Sequence, residues 1–472
     1  MNLSPEVIAD HRLADSFVPP SPIRHKTRVS LWTLFRLYRQ NLLAIFMERD
    51  YATRRMRKKV GLRTIHFSNH PDGVRETLHR QAATFEKKTS QQRQALAPLL
   101  GDGLFVSDGA TWAERRAIVA PIVHGRRIAT FAPVMRETAI EWCGDWRKAG
   151  DGATLDILFE MGELTAEIIS RTIFGRRLGR EFTREIIAGF AAYQRNVDQT
   201  DLLSLMNAPD WVPRLQGVST RRARHRVHRV IDDIVDRFAR GEGDPNAVIS
   251  QLFAARDSSG APLTKAAIRN EAIVIFMAGH ETTANTLAWA IYLVSQSPRV
   301  EARLAAELEA VLGGRHPELA DVADLTFTRA IIEETLRLYP PVPLLGRTAT
   351  GPGTLNGNAV AKGDILVVAP WLLHRNRDLW ALPDHFVPER FDPAIAARPD
   401  KHAYIPFASG PRVCPGLTFA ITEATLCLAT LLQAFKVTLE EGHNVEVSCR
   451  LTLRPGDRLP MVVRRRKGGE PS

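Results

Sequence analysis

Phe407-Ala408-Ser409-Gly410-Pro411-Arg412-Val413-Cys414-Pro415-Gly416 is the stretch from which the remainder of this chain is read. It holds two glycines, two prolines and one cysteine, and it runs into an apolar segment, Leu417 to Phe435, whose only acid is Glu423. Glycine lets a backbone turn tightly or approach a ligand closely, and proline removes the alternatives. The pattern is that of a rigid loop delivering one sulfur to the start of a buried helix. The partial positive charge at a helix N-terminus lowers a cysteine pKa and favours the thiolate. A thiolate held in this way suits a soft metal centre, haem iron among them.

The other cysteines, Cys143, Cys427 and Cys449, lack such flanks and read as small buried hydrophobes. Four cysteines without paired spacing exclude a disulfide framework and a zinc ribbon, and fit a reducing cytoplasm. The N-terminus has neither the basic nor the apolar region of a signal peptide. No uncharged apolar run reaches the length a membrane span needs. Leu31 to Met47 has helical apolar spacing but is broken by Arg36 and Arg39, so it reads as an amphipathic first helix packed on the core, with a helix lying on a membrane surface as the alternative. The net charge of +11 invites a nucleic-acid reading. Its densest runs, at 54–59, 221–229 and 464–467, are scattered and have no stacking aromatics between them, so nucleic acid is not expected.

Along the chain, residues 1–30 look irregular, and Leu62 to Phe67 alternates as a short strand. A helix opened by Pro71 carries Val74 and Leu78 on one face. From 130 to 240 the pattern is helical, with breaks near 174–179 and 208–217. Thr264 caps a helix running to about 297, where Pro298 stops it. Thr354 to Asn358 reads as a hairpin turn, and Ile365 to Val368 as a buried strand. Helices dominate and the strands cluster locally, so the fold class is mainly α with a small β region, in one domain over 1–472.

The long helix contains Phe276-Met277-Ala278-Gly279-His280-Glu281-Thr282-Thr283. A mid-helix glycine costs about 1 kcal/mol against alanine, and threonines there bond back to the preceding turn. Such local conflicts mark functional sites. His280-Glu281 begins a zinc-protease pattern, but Ala284 stands where the second histidine belongs, which excludes that chemistry. The alternative is a kinked or bulged turn in which Gly279 admits a small ligand to the backbone and Thr282 offers its hydroxyl.

Together these stretches resemble the cytochrome P-450 haem-thiolate monooxygenases, in family order over roughly residues 70–460. Phe407, Gly410, Arg412, Cys414 and Gly416 match the cysteine-ligand loop. Ala278-Gly279-His280-Glu281-Thr282 matches the oxygen-activating segment, Glu334-Thr335-Leu336-Arg337 and Pro388-Glu389-Arg390-Phe391 two further motifs, and Trp112 with Arg116 a fourth. The resemblance implies that Cys414 is the axial ligand of haem b. It implies that Ala278 and Gly279 lie against the cofactor, and that Trp112, Arg116, Arg347 and Arg412 bind it. Glu281 and Thr282 would deliver protons during oxygen activation, and Glu334 would be gripped by Arg337 and Arg390 as a structural triad. Ile275, Ala278, Val342, Leu344 and Leu345 would line the pocket of an apolar small-molecule substrate. Dioxygen is the co-substrate, electrons come from a ferredoxin- or flavodoxin-type protein, and the chain is a monomer. The rivals are a peroxide-driven haem-thiolate peroxygenase and a non-enzymatic haem sensor or carrier. Two departures stand out. The basic run at 54–59 occupies the place of the family's first strand, which puts that strand in doubt, and Pro415 leaves no N–H after the cysteine.

Overall fold

The computed structural model describes residues 16–466, apart from 28, 31, 34–35, 38–40, 61–62, 176–179, 197–216, 246, 356 and 450. The break expected near 208–217 and much of the helix expected over 31–47 therefore lie outside the described residues. What is described of the latter ends early. Asn41 caps a short 3-10 turn, Leu42–Ile45, by accepting the Leu43 amide, and its own side chain bonds the Val447 carbonyl. That long-range anchor breaks the helical register, and Met47 instead bridges to His25.

Strand β1 (Arg55–Val60) corrects the doubt over the basic run. It pairs antiparallel with β2 (Arg63–Ser68), with Lys58 opposite Ile65. β1 is the edge of its sheet, where charged side chains are an asset: they keep other strands away while their stems cover apolar surface. The Lys58 ammonium lies 5.7 Å from the centre of the Phe67 ring.

Helix α1 (Pro71–Arg75), continued by a π-turn over Glu76–Arg80, buries Val74 and Leu78. Then come α2 (Ser90–Leu100), α3 (Gly109–Ile122) and α4 (Ile128–Ala149). β3 (Ala153–Asp156) interrupts the region 130–240 where the pattern predicts helix, outside the breaks near 174–179 and 208–217. After it come α5 (Ile157–Phe174), α6 (Arg180–Asn196), α7 (Val218–Ala239) and α8 (Val248–Ala254).

Helix α9 (Lys265–Ser295) is the axle of the molecule. Thr264 caps it by accepting the Ala267 amide at 3.2 Å, and Pro298 opens α10 (Pro298–Leu312) just beyond its end. Its 31 residues span about 46 Å. It is buried for most of its length because it packs on α5, on α11 (Thr326–Leu338) and on α13 (Leu417–Ala434). Between the last two lie β4 (Leu345–Thr348), the hairpin β5 (Gly353–Leu355) and β6 (Asn358–Val360), β7 (Ile365–Val368) and α12 (Pro370–Leu373).

The main sheet has the order β1-β2-β7-β4, with β2 and β7 parallel. After α13 come β8 (Phe435–Leu439), β9 (Val447–Cys449), β10 (Leu453–Pro455) and β11 (Pro460–Arg465). β11 lies between β3 and β8, pairing Met461 with Leu155, and that distant partner is what makes 153–156 extended. Among the described residues α13 alone is long and apolar enough to cross a membrane, but 78% of it is buried, so it is a core helix.

Candidate functional site

One large cavity lies between α9 and the cysteine loop. Its walls come from α2, α3, α5, α9, β4 and the start of α13, and Cys414 lies on it with Phe407, Pro415 and Gly416. The loop reaches this shape through two left-handed residues, Ala408 (φ 60°) and Gly410 (φ 75°). A non-glycine in that region is strained and has to be held by its surroundings. The Cys414 amide bonds the Phe407 carbonyl at 2.9 Å and the Val413 amide that of Gly410 at 3.0 Å. Gly410 itself does not line the cavity: a Cβ there would stand 1.8 Å from the Leu78 carbonyl oxygen, so it serves the seating of the loop on α1 and its π-turn.

Burial pushes the Cys414 thiol up, and the Gly416 amide and the Arg116 charge offset only part of this. The expectation of a lowered pKa is corrected here, because desolvation outweighs the amide and the charge that favour the thiolate. Deprotonation is left to whatever cation bonds the sulfur, since metal binding and loss of the proton are linked.

Four cations gather on the cavity. Arg116 and Trp112 stand one turn apart on α3. The Arg412 guanidinium lies 4.3 Å from the centre of the Trp112 ring and bonds the Ser107 carbonyl at 3.1 Å, Glu86 at 2.6 Å and Asp108 at 3.3 Å. Arg347 is buried and lowered to about 10 by that burial and by Arg412. Lys88, which nothing in the local sequence singles out, is half-buried on the cavity wall, and desolvation together with Arg347 and Arg412 pushes it well below the usual lysine range. Its neighbour Lys87 is also a lysine, and only the fold distinguishes the two. Buried positive charge costs several kcal/mol unless it is matched. Glu86 and Asp108 are engaged with Arg412, which leaves Lys88, Arg116 and Arg347 facing an apolar cavity that holds one thiol. A flat apolar ring system with two carboxylates and a thiolate-seeking iron fits this donor set, and haem is such a group.

The α9 wall departs from the expected bulge. The helix is continuous through Ala278–Thr282, and the Thr282 hydroxyl donates to the Ala278 carbonyl at 2.6 Å. Ile275, Ala278, Gly279 and Thr282 line the cavity. Gly279 is small for a second reason: a Cβ there would lie 2.7 Å from Ile169 Cδ1, so it lets α5 approach α9. Glu281 is not on the cavity wall. Its carboxylate accepts Gln194 Nε2 at 2.7 Å and the Thr452 hydroxyl at 2.5 Å. Val342 and Leu345 line the cavity, whereas Leu344 packs into the main core. Strand alternation explains the difference, since Leu345 and Arg347 share one face of β4.

On the far side of the loop, Glu334 is wholly buried. It accepts Arg337 Nε at 2.7 Å and Nη2 at 2.8 Å, Arg390 Nε at 3.0 Å and the Val387 amide at 2.9 Å. Arg337 also bonds the carbonyls of His374, Pro383 and His385. His374 went unread in the sequence. Burial and Arg337 lower its pKa to about 3. Its Nε2 accepts the Ile405 amide at 2.9 Å, which leaves the proton on Nδ1, directed at the Arg337 carbonyl 3.1 Å away. The triad is thus tied to the chain two residues before Phe407.

Comparison with known proteins bears on the same residues. Cyclooctatin synthase of Streptomyces melanosporofaciens is 33% identical over 408 residues, 84% of this chain and 86% of the relative. Cyclooctat-9-en-7-ol 5-monooxygenase of the same organism is 29% identical, covering 86% of each chain. Pentalenene oxygenase of Streptomyces avermitilis is 26% identical, covering 87% and 90%. The solved "cytochrome P450DA heme domain" superposes with a TM-score of 0.80 at 24% identity, covering 96% of this chain and 99% of that one, which speaks for the fold. A family model described as Cytochrome P450 matches residues 25–458, a span that takes in the cavity, its thiol and its cations. A chain matched over so much of its length, with a cysteine loop facing a cationic apolar cavity, belongs to the cytochrome P450 family of haem-dependent monooxygenases.

Proposed function

We propose that this protein holds haem b through Cys414 and inserts one oxygen atom of dioxygen into a carbocyclic, largely hydrocarbon substrate. The other oxygen atom leaves as water, with two electrons from a separate ferredoxin- or flavodoxin-type donor and two protons from solvent. The observation that carries this reading is the single thiol set in an apolar cavity with the unmatched cations Lys88, Arg116 and Arg347. The haem, when bound, supplies the oxygen chemistry, and the protein supplies placement and electrostatics. Lys88, Arg116, Arg347 and Arg412 are placed to pair with its carboxylates. Ile275, Ala278, Val342 and Leu345 exclude water and orient an apolar molecule. Thr282 presents a hydroxyl at the cavity wall, and the adjacent Glu281 lies on the outward side with Gln194 and Thr452. This pair is suited to passing protons inward from Glu281 to the Thr282 Oγ.

The carbocyclic substrate rests on the compounds named for the relatives, cyclooctat-9-en-7-ol and pentalenene, and on the apolar walls. That this donor is an acidic protein is inferred from the net charge of +11 and from Arg75, His79, Lys401 and His402, which with Asp400 line a surface concavity where His79 bonds Ser409 of the cysteine loop. We read the chain as a monomer.

Reduced protein under carbon monoxide should show a strongly red-shifted Soret band, and Cys414→Ser should abolish it. A wild-type band at the ordinary histidine-type position overturns the reading. Thr282→Ala should divert electrons from product to hydrogen peroxide. Turnover with peroxide matching turnover with reductase and NAD(P)H would favour a peroxygenase instead.

A further inference from the structure

Glu271 lies on α9 about three turns before Thr282 and is wholly buried. Nothing in the oxygen chemistry asks for it. Both of its carboxylate oxygens face one backbone group: the Leu104 amide, at 3.0 and 3.2 Å. Leu104 and Phe105, on the loop between α2 and α3, are walls of the cavity.

That loop is fitted closely to α9. Gly101 (φ 58°) leaves no room for a side chain, since its Cβ would overlap the Asn270 amide, and a Cβ on Gly103 would stand 2.8 Å from Val274 Cγ2. Asn270 Nδ2 bonds Asp102 at 2.9 Å, and Arg115 Nη2 from α3 bonds the same carboxylate at 3.2 Å. The charged groups around Glu271 are Arg115, whose Nε lies 3.6 Å away without a hydrogen-bond partner, and Asp102. Glu114, 3.9 Å from Arg115, completes the cluster.

We propose that Glu271 is a positioning residue for the substrate cavity: by accepting the Leu104 amide from within α9 it sets where the Leu104 and Phe105 walls stand, and its ionisation decides how firmly they are held. This rests on the cavity being the substrate site, but the contact can be tested independently of any turnover. Burial raises Glu271 to about 7, against the opposing pull of the Leu104 amide and Arg115. With the loop down, the carboxyl is shielded from water and prefers its proton. With the loop lifted, water reaches it and the ionised form gains. Linkage then gives the sign: closure is favoured below pH 7 and weakened as pH rises through it.

The test is hydrogen–deuterium exchange of residues 101–107 in the purified holoenzyme between pH 5.5 and 8.5, with rates divided by those of unstructured peptide. Wild type should lose protection as pH rises through about 7. Glu271→Gln, which keeps an acceptor and cannot ionise, should hold constant protection over the range. Glu271→Ala should lose protection several-fold at every pH. If the alanine variant does not fold, the comparison of wild type with Glu271→Gln still decides. Parallel profiles for those two, protection that grows with pH, or an alanine variant as protected as wild type each overturns the proposal.

Discussion

Arg337 grips Glu334 through two parallel hydrogen bonds, 2.7 Å from Nε and 2.8 Å from Nη2, with neither side chain reached by water. Arg390 approaches the same carboxylate from the other side at 3.0 Å. Removing one member of a buried ion pair strands the charges left behind, at a cost of about 3–5 kcal/mol. Glu334→Ala and Arg337→Ala should each destabilise by that much in urea unfolding. Arg337→Lys should fare little better, because an ammonium cannot make the planar fork or reach the three carbonyls. A loss below about 1 kcal/mol, the scale of an exposed pair, would show the triad to be ornamental.

Gly410→Ala adds a single methyl group where none fits. The left-handed backbone costs an L-residue roughly 1–2 kcal/mol, and the new carbon would overlap the Leu78 carbonyl, so the loop has to lift from α1 and its π-turn. Haem incorporation and the carbon monoxide band should both fall, although the residue does not line the cavity. Unchanged haem content with an unchanged melting temperature would contradict the prediction.

Pro415 removes the amide that would follow the sulfur, leaving the Gly416 amide as a donor to it. Hydrogen bonds onto a ligand sulfur draw off electron density and raise the potential of the metal it binds. Pro415→Leu is therefore expected to shift the haem reduction potential upward in a potentiometric titration, and a downward shift would refute the idea.

Lys88 separates the haem-free protein from the loaded one. Burial holds its pKa well below that of an exposed lysine, so the unfolded chain binds more protons than the folded one. The stability of the haem-free protein should then rise with pH toward the usual lysine range. Lys88→Met should flatten that slope and stabilise the haem-free form by about 1–3 kcal/mol at neutral pH. If Lys88 pairs with a haem carboxylate as proposed, the substitution removes that partner in the loaded protein, and haem should transfer faster to an acceptor such as apomyoglobin. Slower or equal transfer counts against the cationic cradle.

What was legible in the sequence was local. The cysteine loop, the Thr264 cap, the hairpin around Gly357 and the apolar strand Ile365–Val368 all follow from neighbours a few residues apart. β1 and β3 were missed because their extended state depends on β2 and on the distant β11, and β1 is charged in a way that suits an edge. Of the two adjacent leucines expected in the pocket, Leu345 lines it and Leu344 packs into the core, a difference of register that composition does not carry. Gly279 lines the cavity, in keeping with the ligand-side reading, but nothing near it in the chain announces that Ile169 of another helix also leaves it no room for a side chain. Lys88 and His374 share this character. Each is unremarkable beside its neighbours in the chain and is given meaning by groups from elsewhere, Arg347 and Arg412 for the one, Arg337 and Ile405 for the other.

The parallel seam between β2 and β7 sets Ile65 beside Ile365, and the Thr64 amide bonds an aspartate 300 residues further along. On the ribosome the hairpin of β1 and β2 emerges early and then waits, one edge bare, for most of the chain to be made. Pairings of such range form slowly, and bare edges recruit neighbouring chains. The sheet that carries Arg347 is therefore among the last parts of the molecule to close, so the newborn polypeptide depends on its helices, or on a chaperone, to keep that first hairpin from clumping.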